Sequence, residues 1–247
     1  MSVRWFARLS VVAAIVVAAF ASARAEETVD LELVLLADAT GSIDEGEIRF
    51  QRQGYAEAIT HPDVLSAITG NLHQRIALTY VEWGDAFSQE VVVPWTIIAG
   101  REDAEAFAAR LLAVPRLAFG RNAIGAALAK AESLIETNEI TGLRRVIDLS
   151  GDSANNWNGP PIEPVRQRII AKGITINGLA ILCREADCGG RAAYYDLEQA
   201  FATRIVGGPG SFVVTADSRT SFASAVRRKL ILEIAGLTFR HGVARAE

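Results

Sequence analysis

The sequence predicts an α/β domain with a doubly wound, mostly parallel six-stranded sheet, one antiparallel edge strand and helices on both faces. Three observations predict it. Apolar runs of strand length alternate with amphipathic stretches along most of the 247 residues. The run Leu33–Ala37 is continuous rather than alternating, as a strand covered on both faces requires. Arg75–Trp83 and Gln89–Trp95 are rich in β-branched and aromatic residues, and a few residues around Gly84-Asp85 join them into a hairpin.

The remaining elements follow in order. After Leu33–Ala37, Glu45–Thr60 places Ile48, Tyr55, Ala58 and Ile59 on one helical face, and His61-Pro62 ends it. Asp63–Ile68 adds a helical turn before the hairpin, where Pro94 suits a sheet edge or a strand end. Arg101–Leu112 is a short helix closed by Pro115, and the loop Leu117–Gly125 enters a second helix, Ile124–Thr137. Arg144–Ser150 is a strand. Pro160-Pro161 starts a helix running to about Lys172, and Gly173–Leu182 is the next strand. Tyr194–Ile205 is helical, Ser211–Thr215 is the last strand, and Asp217 or Ser218 caps a final helix from Thr220 to about Ala235. Repeats and linkers are not evident, so 26–247 reads as a single domain with its core at about 30–236 and a short C-terminal tail.

Residues 1–25 predict a secretory signal. Arg4 and Arg8 precede an apolar stretch, Leu9–Phe20, too short for a bilayer span, and Ala23-Arg24-Ala25 is a small-x-small cleavage site. The mature chain is then secreted, into a periplasm, without a stable membrane anchor. Losing Arg4, Arg8 and Arg24 takes the formal charge from −4 to −7, which argues against nucleic acid as a partner. The cysteines are Cys183 and Cys188. In an oxidising compartment they predict a local disulfide; a two-Cys zinc site is the rival, but His61, His73 and His241 all lie far away in sequence.

The chemistry concentrates where Leu33–Ala37 stops. Asp38, Thr40 and Ser42 bring a carboxylate and two hydroxyls to the carboxyl end of a buried strand, the edge where open α/β sheets place ligands. Such an oxygen set suits a hard divalent cation. The competing reading is a helix cap, because Ser42-x-x-Glu45 also fits a capping box. Two further loops carry oxygen ligands: Gly120-Arg121-Asn122 ahead of a helix, and Ser150-Gly151-Asp152 after a strand.

With these three loops in hand, the chain resembles a von Willebrand factor A-type domain, a Rossmann-like fold, over about residues 30–236. Val81–Asp85 (VEWGD), Val91–Trp95 (VVVPW), Arg144–Asp152 (RRVIDLSGD) and Gly207–Val213 (GGPGSFV) are more narrowly similar to an uncharacterised bacterial family of secreted A-type domains. The resemblance implies a metal-ion-dependent adhesion site for one ion, Mg²⁺ or else Mn²⁺ or Ca²⁺. Thr40 and Ser42 would ligate directly, and Asp38 and Asp152 mostly through water. Asn122 stands where the family usually has Thr, a departure that favours weaker binding or a larger ion. The implied partner is a protein presenting an acidic residue to the metal; Arg121 would be a neighbouring surface contact if it points outward and a competitor of the cation if it points inward.

Trp157, in the polar loop Ala154–Gly159, is the candidate contact residue for that partner, although a core role is the alternative. Glu82 and Asp85 read as a solvated strand end and turn, with a rim around the binding face as the alternative, and Asp44, Glu45 and Glu47 as acids favouring a helix start. Catalysis finds little support. A G-x-S-x-G elbow and a phosphate-cradling G-x-x-x-x-G-K-[ST] loop are absent, and no His falls in a plausible motif. The reading is therefore a non-enzymatic, exported binding module. A metal-dependent phosphoryl or ester hydrolase and a scaffold with a degenerate site are its alternatives.

Overall fold

A computed structural model describes residues 27–182 and 195–236. The predicted signal segment, Cys183, Cys188 and the tail lie outside these residues. Six strands form one sheet: β1 (Glu27–Asp38), β2 (Ile76–Trp83), β3 (Gln89–Ile98), β4 (Ile140–Gly151), β5 (Thr175–Ile181) and β6 (Val213–Ala216). Their order is β3-β2-β1-β4-β5-β6. Only the β2–β3 pair is antiparallel, which makes β3 the antiparallel edge.

The described helices are α1 (Glu45–Thr60), α2 (Pro62–Thr69), α3 (Arg101–Ala113), α4 (Ile124–Glu136), α5 (Ile162–Ala171), α6 (Leu197–Arg204) and α7 (Arg219–Ala235). Successive side chains of β1 point to opposite faces. Leu31, Leu33, Leu35 and Ala37 join a core with Tyr55 and Ile59 of α1, Ile68 of α2, Phe107 of α3 and Val226 of α7. Val34 and Leu36 face the other side, with Leu128 of α4, Ile169 of α5 and Phe201 of α6. Both faces of the central strand are thus covered, which accounts for its unbroken apolar run. Among the described residues no helix is long and apolar enough to cross a membrane.

Three elements outrun the sequence reading. β1 begins at Glu27 rather than Leu33 because Asp30 and Glu32, buried acids, are satisfied by backbone amides. Asp30 accepts from the amides of His73 and Arg75, and Glu32 from Gly142 N and Asn138 Nδ2. β4 starts at Ile140 to pair with that extension, Glu27 lying opposite Ile140. β3 continues past Pro94 to Ile98 because the register against β2 shifts around Tyr80, so the proline sits at an irregularity on an exposed edge.

Helix α1 has the bounds read from the sequence, but the competing capping-box reading at Ser42 does not hold. Asp44, not Ser42, is the N-cap: its Oδ1 accepts from Glu47 N at 2.8 Å, and Glu47 Oε2 accepts from Asp44 N at 2.8 Å. The capping box is displaced by two residues, and Ser42 keeps its hydroxyl for the loop.

Candidate metal centre

β1 ends at Asp38 with β2 on one flank and β4 on the other, so the winding reverses at this strand. The carboxyl ends of these strands open on the crevice that such a switch point creates. Asp38 is fully buried there. Its Oδ1 accepts from the Thr40 amide at 2.9 Å, and its backbone carbonyl accepts from Gln51 Nε2 at 3.2 Å. Its Oδ2 has no hydrogen-bond partner. Gly151 leaves room for that oxygen, since a Cβ there would stand 3.1 Å from it.

The other oxygens gather around it. The Thr40 and Ser42 hydroxyls lie 3.1 Å apart. Asp152, half-buried after β4, takes a hydrogen bond from the Ser42 side chain. Burial, reinforced by the Asp152 carboxylate, pushes the Asp38 carboxyl up to about 8, against the pull of the Thr40 hydrogen bonds. Burial raises Asp152 as well. Two carboxyls held this close favour a shared proton or a cation between them. Among the described residues no group of three or more His, Cys, Asp and Glu side chains gathers in a way that could hold a metal. A cation here would depend on hydroxyl and water oxygens beside the two acids, a donor set that suits hard ions. The unpartnered Asp38 Oδ2 is the observation that fits such an ion.

The second loop joins the first through the backbone. Gly41 N donates to Gly120 O at 2.8 Å, and Trp157 N to Asn122 O at 2.8 Å. All three predicted loops are therefore adjacent. The side chain of Asn122 is less settled than its backbone, for its Nδ2 is buried without a partner. Arg121 is exposed and lies over the exposed Trp157 ring, 5.8 Å from its centroid. The guanidinium thus joins an aromatic surface, and Trp157 is not a core residue.

Residues 28–238 match the model of a family described as "Protein of unknown function (DUF1194)". The chain belongs to the DUF1194 family. Its fold is that of a von Willebrand factor A-type domain. The chain is similar to the von Willebrand factor type A protein from Catenulispora acidiphila, at 16% identity and TM-score 0.57, covering 84% of this chain and 43% of that one. It is similar to the open pilus adhesin SpaC of Lactobacillus rhamnosus GG, at 14% identity and TM-score 0.58, covering 83% and 30%. Proximal thread matrix protein 1 of the mussel byssus, in a structure titled as having a zinc-occupied MIDAS motif, matches at 17% identity and TM-score 0.59, covering 85% and 49%. The DUF1194 chain thus spans less than half the length of each of these structures. No curated protein matches it.

Two residues that hold the DUF1194 site together were not evident from the sequence. Arg116 donates to the carbonyls of Ala39, Thr40 and Ile43 in the first loop and of Ala118 in its own. The available signal was an arginine directly after Pro115, followed by the apolar stretch Leu117–Phe119. Glu82, read as solvated, is fully buried and lies 2.7 Å from Arg52 of α1. It also accepts from Leu117 N at 2.9 Å, so the second loop is fastened to β2. Asp85 remains a turn residue and accepts from Asn158 Nδ2 at 2.8 Å.

Proposed function

We propose that this DUF1194 chain is an exported, non-catalytic binding module that takes one divalent cation at Asp38, Thr40, Ser42 and Asp152. Through that ion it recognises a carboxylate of a protein partner. The observation that carries the reading is the buried, unpartnered Asp38 Oδ2, placed beside a second carboxyl and a hydroxyl pair at the switch point. Leaving such an oxygen unsatisfied is costly, and a cation compensates it. Mg²⁺ fits first, as an ion that accepts few protein oxygens and keeps waters; Mn²⁺ and Ca²⁺ are the alternatives. Two acids balance a +2 ion, so affinity for the metal alone is modest and an incoming carboxylate adds to it. The mussel protein's titled MIDAS motif and the adhesin's titled role are consistent with this reading.

Asn122 belongs to the proposal as the contribution of the second loop. Its amide is one in which nitrogen and oxygen exchange by a half-turn, and the position now held by an unpartnered Nδ2 would then hold an acceptor. The same unpartnered amide favours a second reading, a scaffold whose site no longer holds an ion.

Thermal unfolding of residues 26–247 in EDTA, then with Mg²⁺, Mn²⁺ or Ca²⁺, separates the two. At about 100 times the dissociation constant an ion stabilises by roughly 2.7 kcal/mol, several degrees in Tm. A saturable shift that Asp38→Ala abolishes is expected. No shift with any ion at millimolar concentration sinks the metal reading. Export and a Cys183–Cys188 disulfide belong to the same proposal. Cell fractionation with N-terminal sequencing should find a mature chain beginning at Glu26 outside the cytoplasm, and recovery of an uncleaved cytoplasmic chain would refute export.

A further inference from the structure

Three exposed aromatic side chains stand on the loops around Asp38. Phe87 is 97% exposed, Trp157 64% and Phe119 52%. Exposed apolar side chains are informative when they gather into one patch, which marks an interaction surface. They share one platform. Phe119 donates its amide to Ser88 Oγ at 3.0 Å, and its carbonyl accepts from Asp85 N at 2.8 Å, so its backbone brackets the turn that carries Phe87. Trp157 N bonds to Asn122 O three residues farther along, and Asn158 Nδ2 returns to Asp85. Gly41 N, bonded to Gly120 O, joins this platform to the loop of Thr40 and Ser42.

The platform also carries two arginines. Arg116 lies 4.7 Å from the Phe119 ring centroid, and Arg121 lies over Trp157. Arg116 is committed to loop carbonyls, whereas Arg121 is exposed beside an exposed ring. The surface next to the Asp38 cluster therefore combines apolar area with a cationic group, and its complement is apolar and acidic.

We infer that Phe87, Phe119, Trp157 and Arg121 form a specificity rim for a partner segment in which the acidic residue is flanked by large apolar side chains. The inference rests on the reading of the Asp38 cluster as a metal-bridged carboxylate site and adds the chemistry of the residues on either side of that carboxylate. The rim supplies apolar burial, the cluster supplies the acid contact, and Arg121 favours negative charge on approach.

Two fluorescent peptides test it by anisotropy, one with the core Phe-Leu-Asp-Leu-Phe and the other Gly-Ser-Asp-Ser-Gly. Each is titrated with the mature protein in Mg²⁺ and in EDTA. The comparison set is Asp38→Ala, Phe119→Ser and the double variant Phe87→Ser/Trp157→Ser, each checked in EDTA for a retained cooperative unfolding transition. At least tenfold tighter binding of the apolar-flanked peptide to the wild type is expected, with that advantage lost in the rim variants. Equal binding of both peptides, binding of neither at millimolar protein, or an advantage that survives in the rim variants overturns the inference. Mg²⁺-dependent binding without an apolar preference removes the rim and leaves the metal reading standing. An apolar preference indifferent to Mg²⁺ and to Asp38→Ala removes the metal reading and leaves the rim.

Discussion

The Arg52 guanidinium meets the Glu82 carboxylate at 2.7 Å inside the protein, and the pair organises the loop that approaches the Asp38 cluster. Arg52 also donates to the carbonyls of Val114 and Pro115, and Glu82 accepts from Leu117 N. Removing one partner of a buried, hydrogen-bonded pair leaves an uncompensated charge, at a cost of about 3–5 kcal/mol. Arg52→Met is therefore expected to lower stability by about that amount in urea unfolding. A loss under 1 kcal/mol would show that the pair is dispensable.

A second charged network ties α7 to the sheet. Lys229 Nζ lies 2.6 Å from Asp148 of β4 and pairs with Glu233 one helical turn on, and all three side chains are buried. Lys229→Met strands two carboxyls in the interior, so about 3–5 kcal/mol of stability should be lost at neutral pH. Adding Asp148→Asn and Glu233→Gln should restore part of it. Calorimetry on the single and triple variants decides, and a triple variant no more stable than the single one would contradict this account.

Ion-free stability should fall as pH rises. Burial and the Asp152 carboxylate raise Asp38 to about 8, and burial raises Glu233 to about 7. Both folded values lie above the ordinary carboxyl range, so the folded chain holds protons that the unfolded chain has already released. Stability then declines from about pH 4 to about pH 8. Urea midpoints in EDTA at pH 5 and pH 8 measure the decline, and Asp38→Asn should shrink it. A higher midpoint at pH 8 would oppose the assignment.

The same sign governs the ion. If Mg²⁺ displaces a proton from Asp38, its apparent affinity should rise from pH 6 to pH 8 and each binding event should release protons. Titration calorimetry in two buffers of different ionisation enthalpy counts them. An affinity independent of pH would mean that the ion does not meet the carboxyl.

Gly151 gives a structural control. A methyl there would stand 3.1 Å from Asp38 Oδ2 and 3.2 Å from the Trp83 ring. Gly151→Ala should blunt the ion-dependent rise in Tm while the ion-free Tm moves by only a few degrees. An unaltered ion response would place the binding elsewhere.

Much of the fold could be read because its strongest signals are local. The unbroken apolar run of β1, the short hairpin connection and the helix periodicity each declare themselves within a dozen residues. What escaped is polar and long-range. Asp30 and Glu32 look like strand breakers until the amides of His73, Arg75 and Gly142 arrive to bind them. Glu82 looks solvated because Arg52 is thirty residues away. Ser42-x-x-Glu45 competes with Asp44-x-x-Glu47 as a capping box because the two overlap in sequence, and only the backbone distinguishes them. At the Asp38 cluster, residue types and loop adjacency were legible. The orientation of the Asn122 amide was not, because no sequence rule says which way a half-buried amide turns.

The backbone bonds that link Gly41 to Gly120, Asp85 to Phe119 and Asn122 to Trp157 have a thermodynamic consequence. Four loops stitched in this way lose their freedom when the chain folds, not when a ligand arrives. Such a face is preorganised: capture of a partner carries little further entropic penalty from the protein's side. Affinity differences among partners should then lie mainly in how slowly they leave.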